Sequence, residues 1–195
     1  MKIDSSQITA GVLAGGAARR LGGFDKGWYR VDGRPLIEQT LARLEPQVGH
    51  LLISANRSLA RYRTFGHEVV VDREPGYAGP LMGLASLLRA APTPYLLVVP
   101  VDTPALPRDL GVRLAAAMTP DIDLVCARAG QRRQPLHALM HTRVLATLEA
   151  ALTAGMARVT DWQGRLTVRE VDWSEASAFA NINAPRDVQA WSRTR

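Results

Sequence analysis

Cysteine is almost missing from this 195-residue sequence: Cys126 stands alone, so no internal disulfide can form. No charged-then-apolar leader precedes the first apolar segment, and with the lone thiol this leads us to expect a reducing, cytoplasmic setting. Long hydrophobic runs are lacking too. The longest, Tyr95 to Val101, is broken by Pro100 and falls far below the ~18–20 residues that cross a bilayer. Aromatic residues make up only 6% of the chain and the basic residues are dispersed, so a net charge of +6 offers no stacking platform for nucleic acid. A phosphorylated small molecule suits that charge equally well. Internal repeats, low-complexity tracts and linkers are absent, so one domain covering residues 1–195 is expected, burying roughly 70% of its unfolded surface.

What is present alternates between strand and helix patterns. Apolar runs at Ile8 to Leu13, His50 to Asn56, Glu68 to Asp72 and Tyr95 to Val101 read as strands, the last three as buried ones. Further strands are expected at Asp123 to Arg128, Pro135 to Met140 and Leu166 to Val171, with a short edge strand at Trp28 to Val31 closed by an Asp32-Gly33 turn. Helical spacing marks a helix begun by Pro35, then Ser58 to Phe65, Leu81 to Ala90, Arg108 to Met118, Arg143 to Ala154, and a terminal helix from Pro185 to Trp191. This order predicts an α/β fold: a single three-layer, Rossmann-like domain whose mostly parallel central sheet is flanked by helices. Pro100 cannot donate to a sheet ladder, so it belongs near a strand end where pairing fails.

Ligands of such sheets bind beyond the carboxyl ends of the strands. Gly15-Gly16, Ser54 to Asn56, Asp72 and Asp102 all follow predicted strand ends. The stretch from Ile8 to Gly27, ITAGVLAGGAARRLGGFDKG, feeds a strand into a glycine-rich loop with Arg19, Arg20 and Lys26. Glycines let backbone N–H groups wrap a polyphosphate and the cations neutralise it. A tight strand-to-helix turn beside a solvated basic face would read the same way. Two familiar phosphate loops are excluded: Lys26 is followed by Gly27 rather than Ser or Thr, and Gly11 and Gly15 lack the dinucleotide-loop spacing. Asp102 is a suitable Mg²⁺ ligand, because that ion takes one or two carboxylates and leaves other positions to water and phosphates. In the sequence Lys26 has no apparent core role.

The run Leu13-Ala-Gly-Gly-Ala-Ala-Arg-Arg20-Leu-Gly, followed by Asp25-Lys26, resembles the loop of nucleotidyltransferases of the sugar-nucleotide pyrophosphorylase type. Ala78 to Leu84, Val101-Asp102-Thr103-Pro104, Gln134 to Leu139 and Asn181 to Pro185 follow in an order that resembles the molybdenum cofactor guanylyltransferase family, from Ile8 to about Trp191. The resemblance implies Mg²⁺-dependent transfer of GMP from GTP to the terminal phosphate of molybdopterin, with transient contact to cofactor-supplying or cofactor-receiving proteins. It assigns GTP contacts to Leu13, Ala14, Gly15, Gly16, Lys26, Ser54, Asp72, Gly79 and Asp102, catalytic roles to Arg20, Lys26 and Asp102, the metal to Asp102, and pterin contacts to Gln134, Asn181 and Asn183. Ser54 replaces the asparagine usual in relatives, so its contact is shorter or passes to Asn56. A CTP-using transferase, one with another phosphorylated acceptor, and a non-catalytic nucleotide or cofactor carrier are the alternatives.

The remaining polar and aromatic residues have plainer readings. His137 and His141 are four apart without a His-Glu-x-x-His helix, which favours substrate contact or packing over metal ligation. Cys126 reads as a buried structural thiol. Trp162, Trp173 and Trp191 read as packing residues, with a pterin platform as the alternative.

Overall fold

The computed structural model describes residues 2–15, 25–73, 79–182 and 187. Gly16, Arg20, Asn183 and the helix expected from Pro185 to Trp191 lie outside the described residues, apart from Asp187, which is helical.

Strand patterns with period two place alternate residues of one strand in two different cores. In β1 (Ile8–Leu13), Ile8, Ala10 and Val12 face one layer, which contains Ile37, Leu41 and Leu44 of α1 (Leu36–Leu44) and Leu110 and Leu114 of α4 (Leu110–Ala117). In β6 (Tyr95–Pro100), Leu97 and Val99 join that layer, while Leu96 and Val98 face the other. The second layer is built by α3 (Pro80–Ala90), α5 (Leu145–Thr153) and α6 (Val159–Gln163). The result is a three-layer α/β domain.

Among the described residues, seven strands make one sheet in the order β5 (Glu68–Val70), β4 (His50–Ser54), β1, β6, β8 (Arg132–His141), β7 (Leu124–Ala129), β9 (Val168–Trp173). The β1–β4, β1–β6, β4–β5 and β7–β9 pairs are parallel, and β8 runs antiparallel to both its neighbours. The mostly parallel sheet is therefore as expected. A separate hairpin joins β2 (Arg30–Val31) to β3 (Arg34–Pro35), its turn carrying positive φ at Asp32 and Gly33 as an Asp-Gly hairpin requires.

Several elements depart from the sequence reading for physical reasons. The segment from Trp28 to Val31 splits into a 3-10 turn at Lys26–Trp28 and the two-residue β2, because Asp25 caps the turn by accepting from the Gly27 N–H. Pro35 precedes α1 in extended geometry (φ −57°, ψ 146°) instead of opening it. The expected buried strand at Glu68 is an edge strand with an exposed Glu68 and half-buried Val69 and Val70, since β4 alone covers it. The strand expected from Pro135 begins at Arg132, where it turns back on β7 through a hairpin, and the helix expected from Arg143 begins as a 3-10 turn at Thr142–Val144.

Pro100 occupies the last position of β6, opposite Leu13. The Val101 N–H donates to the Leu13 carbonyl at 3.1 Å, so the N–H that proline lacks would point towards β8. Pairing of β6 with β8 has already ended there, at Val98 opposite Ala138. The sheet thus parts between β6 and β8 at its carboxyl edge.

Two glycines let α3 lie close on the sheet. A Cβ on Gly11 would come within 2.8 Å of Leu87, and one on Gly83 within 2.8 Å of Ser54 Oγ and 3.0 Å of Leu13 Cδ2. Gly83→Val should therefore lift the start of α3 off β1 and β4, at a cost of about 1–3 kcal/mol. Denaturant unfolding measures this, and an unchanged midpoint would show that the helix shifts freely.

Candidate active site

The end of β1 is clamped on both sides. The Ala14 N–H donates to the Ser54 carbonyl at 2.9 Å on the β4 side, and Leu13 accepts from Val101 on the β6 side. Gly15 follows at the sheet edge beside Asn56, with its Cβ position 3.4 Å from Asn56 Nδ2.

On the β6 side stands the ion pair between Lys26 and Asp102. Lys26 Nζ lies 2.5 Å from Asp102 Oδ2, with side-chain exposures of 18% and 15%. The expected lysine without a core role is corrected: Lys26 is largely buried against a carboxylate 76 residues away. A neighbouring cluster holds its backbone. The Tyr62 hydroxyl of α2 (Leu59–Arg63) donates to Asp25 Oδ1 at 2.6 Å, and the Gly27 N–H donates to the same oxygen at 3.3 Å. Burial and the Asp25 carboxylate push the Tyr62 hydroxyl far above its ordinary pKa, so it stays a donor. Trp28 packs on Tyr62 and Phe65, and the Arg61 guanidinium lies 3.8 Å over the Trp28 ring.

On the β4–β5 side, Asp72 and Asn56 hold each other. Asn56 Nδ2 donates to Asp72 Oδ2 at 2.7 Å, and the Asp72 N–H donates to Asn56 Oδ1 at 3.0 Å. Ser86 Oγ donates to the second carboxylate oxygen at 3.3 Å. Ser54 is buried beneath Gly83. Its carbonyl fixes Ala14, while Asn56 is the neighbouring side chain that reaches Asp72. Gly79 precedes α3 at φ 76°, a conformation that glycine adopts without strain.

A third group lies where β6 and β8 part. Buried Thr103 Oγ1 donates to Asn181 Oδ1 at 3.1 Å, and His137 Nε2 is 3.1 Å from the same hydroxyl. The Ile182 N–H donates to the Asp102 carbonyl at 2.9 Å. Gln134 is half-buried in β8, opposite Ala127 and next to a register shift in β7. Among the candidate residues, Lys26 and Asp102 are in direct contact, Leu13 is tied to Val101 beside Asp102, Ala14 to Ser54, Asp72 to Asn56 beside Gly15, and Asn181 to Thr103. The sequence reading missed Asp25, Tyr62 and Thr103 as supports, although Asp25 and Thr103 directly adjoin Lys26 and Asp102.

Asp102 fits a divalent cation. Its Oδ1 is buried and receives no hydrogen bond among the described residues, while Oδ2 is held by Lys26. A carboxylate oxygen left without a donor is costly unless a cation approaches it. Among the described residues no group of three or more His, Cys, Asp or Glu side chains could hold a metal. The remaining ligands would be phosphates and water. The other sequence candidates have packing partners: Cys126 is buried, with burial raising its thiol pKa and Arg133 Nε donating to its sulfur at 3.2 Å. Trp162 and Trp173 are core residues, and Trp191 lies outside the described residues.

A lysine and an incompletely satisfied carboxylate thus meet beyond the central parallel strands of a three-layer α/β domain, an edge suited to an anionic ligand and a cation. Residues 10–168 match the family model of the MobA-like NTP transferase domain. The chain is 40% identical over 187 residues to the molybdenum cofactor guanylyltransferase of Shewanella halifaxensis, covering 95% of this chain and 94% of the relative. With the enzyme of the same name from Polynucleobacter asymbioticus it shares 41% identity over 192 residues, covering 96% of each. The fold is also that of molybdopterin-guanine dinucleotide biosynthesis protein A from Archaeoglobus fulgidus, at TM-score 0.79 and 22% identity over 95% of this chain and 97% of that one. The chain belongs to the MobA-like NTP transferase family.

Burial pushes the His137 imidazole down from its ordinary 6.5 to about 3. The unfolded chain takes up this proton near pH 6.5, and the folded chain resists it until about pH 3. The stabilising contribution is complete above the upper value and is lost as pH falls through that window. His137→Gln should therefore flatten the decline of stability between pH 6 and 4, by up to about 1.4 kcal/mol per pH unit. Urea midpoints against pH measure it, and identical slopes in both proteins would contradict the assignment.

Proposed function

We propose that the chain transfers GMP from GTP to the terminal phosphate of molybdopterin, forming molybdopterin guanine dinucleotide and pyrophosphate. The observation that carries the chemistry is the Lys26–Asp102 pair beyond β1, with one Asp102 oxygen left for a cation. The family and the named activity of relatives matching nearly the whole chain supply the substrates.

The nucleotide occupies the edge lined by Leu13, Ala14 and Gly15, with Gly79 and Asp72 as further contacts and Gly16 assigned the same role from the sequence motif. Backbone N–H groups of the loop bind its phosphates. Asp102 would hold Mg²⁺, which would supply charge neutralisation at the phosphates. Lys26 turns from Asp102 to the phosphates when the nucleotide enters, and Arg20 adds a second cation. The acceptor arrives beside Gln134, Asn181 and Asn183. One of its phosphate oxygens attacks the α-phosphorus of GTP as the bond to the β-phosphate oxygen breaks. Because the attacking group is already an oxyanion, alignment and neutralisation suffice and no base is needed.

Asp102→Asn should lower Mg²⁺-dependent pyrophosphate release by at least about 100-fold, the scale of losing one electrostatic stabiliser of the transition state. Unchanged turnover would remove Asp102 as the metal ligand. Lys26→Ala should raise the KM for GTP and also lower the Tm by several degrees, since a charge-assisted hydrogen bond of about 1.5–3 kcal/mol is lost from a mostly buried carboxylate. A Tm equal to wild type would place Lys26 in solvent. Replacing GTP by CTP tests the base preference, and faster release with CTP would contradict the guanylyl assignment.

A further inference from the structure

His137 lies in the middle of β8 with 3% of its surface exposed, and its ring reaches Thr103, the residue after Asp102. We propose that it is a positioning residue for the acceptor side of the site, acting through Thr103 to fix which end of the Asn181 amide faces the incoming substrate. This rests on the reading of Asn181 as an acceptor contact.

The direction of the hydrogen bonds carries the argument. A threonine hydroxyl has one hydrogen, and Thr103 gives it to Asn181 Oδ1 at 3.1 Å. With that bond in place, the tautomer of His137 consistent with it carries its proton on Nε2, 3.1 Å from the same oxygen. A donor at Nε2 prevents the hydroxyl from turning back towards the imidazole. The hydroxyl hydrogen is thereby aimed at Asn181, and Asn181 Oδ1 is turned inward.

The exposed end of that amide is then its NH2 group, a donor suited to an anionic or carbonyl oxygen of the acceptor. The same segment is anchored twice more. Phe179 packs edge-on against the His137 ring at 5.1 Å, and the Ile182 N–H holds the Asp102 carbonyl. The chain of donors runs from His137 to Thr103 to Asn181 at the point where Pro100 lets β6 and β8 part.

The test is steady-state kinetics on the full chain, varying molybdopterin at saturating GTP and then GTP at saturating molybdopterin. Thr103→Val keeps the shape and removes the relay. His137→Leu removes the donor, whereas His137→Gln keeps an N–H at the position of Nε2 and Thr103→Ser keeps the hydroxyl. Thr103→Val and His137→Leu should raise the KM for molybdopterin about tenfold, the scale of one hydrogen bond. The KM for GTP should change less than twofold, and His137→Gln and Thr103→Ser should restore most of the loss. Should His137→Leu fail to fold, Thr103→Val and its serine rescue decide the matter. Equal rises in both KM values, or no rescue by Gln and Ser, would make the pair structural only and overturn the proposal. Asn181→Ala separates the two readings. If it raises the molybdopterin KM and Thr103→Val does not, the relay alone falls; if it leaves that KM unchanged, the acceptor-side reading falls and the relay with it.

Discussion

Lys26 and Asp102 are 76 residues apart in sequence and meet at 2.5 Å, mostly withdrawn from water. Each would be costly to bury alone, because an unpaired charge in a low-dielectric site loses its hydration without compensation. Much of the surrounding structure brings this pair into register. β6 carries Asp102 to the sheet edge, and the Val101 N–H locks the strand's end to β1. Asp25, Tyr62 and Trp28 pin the other partner by tying the backbone around Lys26 to α2. The Ile182 N–H on the Asp102 carbonyl then attaches the segment at residues 179–182 to the same strand end.

That arrangement accounts for how a small domain can handle a highly charged substrate. Lys26 pairs with one Asp102 oxygen, and the other is buried without a hydrogen bond among the described residues. Two neighbouring pairs brace the edge through side-chain hydrogen bonds: Asn56 and Asp72 bond reciprocally, and Thr103 serves both His137 and Asn181.

The strands were the most legible part of the sequence, because β1 and β6 are buried on both faces and read as continuous apolar runs. Lys26 and Asp102 stood out from local motifs. Their contact did not, since no local pattern encodes a pair that forms only when the 3-10 turn at Lys26–Trp28 folds against the end of β6. The same holds for Tyr62 on Asp25 and for the His137 relay, where the partners lie 37 and 34 residues apart. Edge position was also hidden: Val69 and Val70 look like core residues until the sheet order leaves β5 with one neighbour. Five-residue α6 is too short to show a helical period.

The measurement that bears most directly on the central claim follows the α-phosphorus. Purified protein incubated with Mg²⁺, molybdopterin and GTP labelled at the α-phosphate should place the label in a molybdopterin dinucleotide and release one unlabelled pyrophosphate for each molecule formed. Label that remains in GTP bound to the protein, or that appears as free GMP without a dinucleotide, would contradict the account.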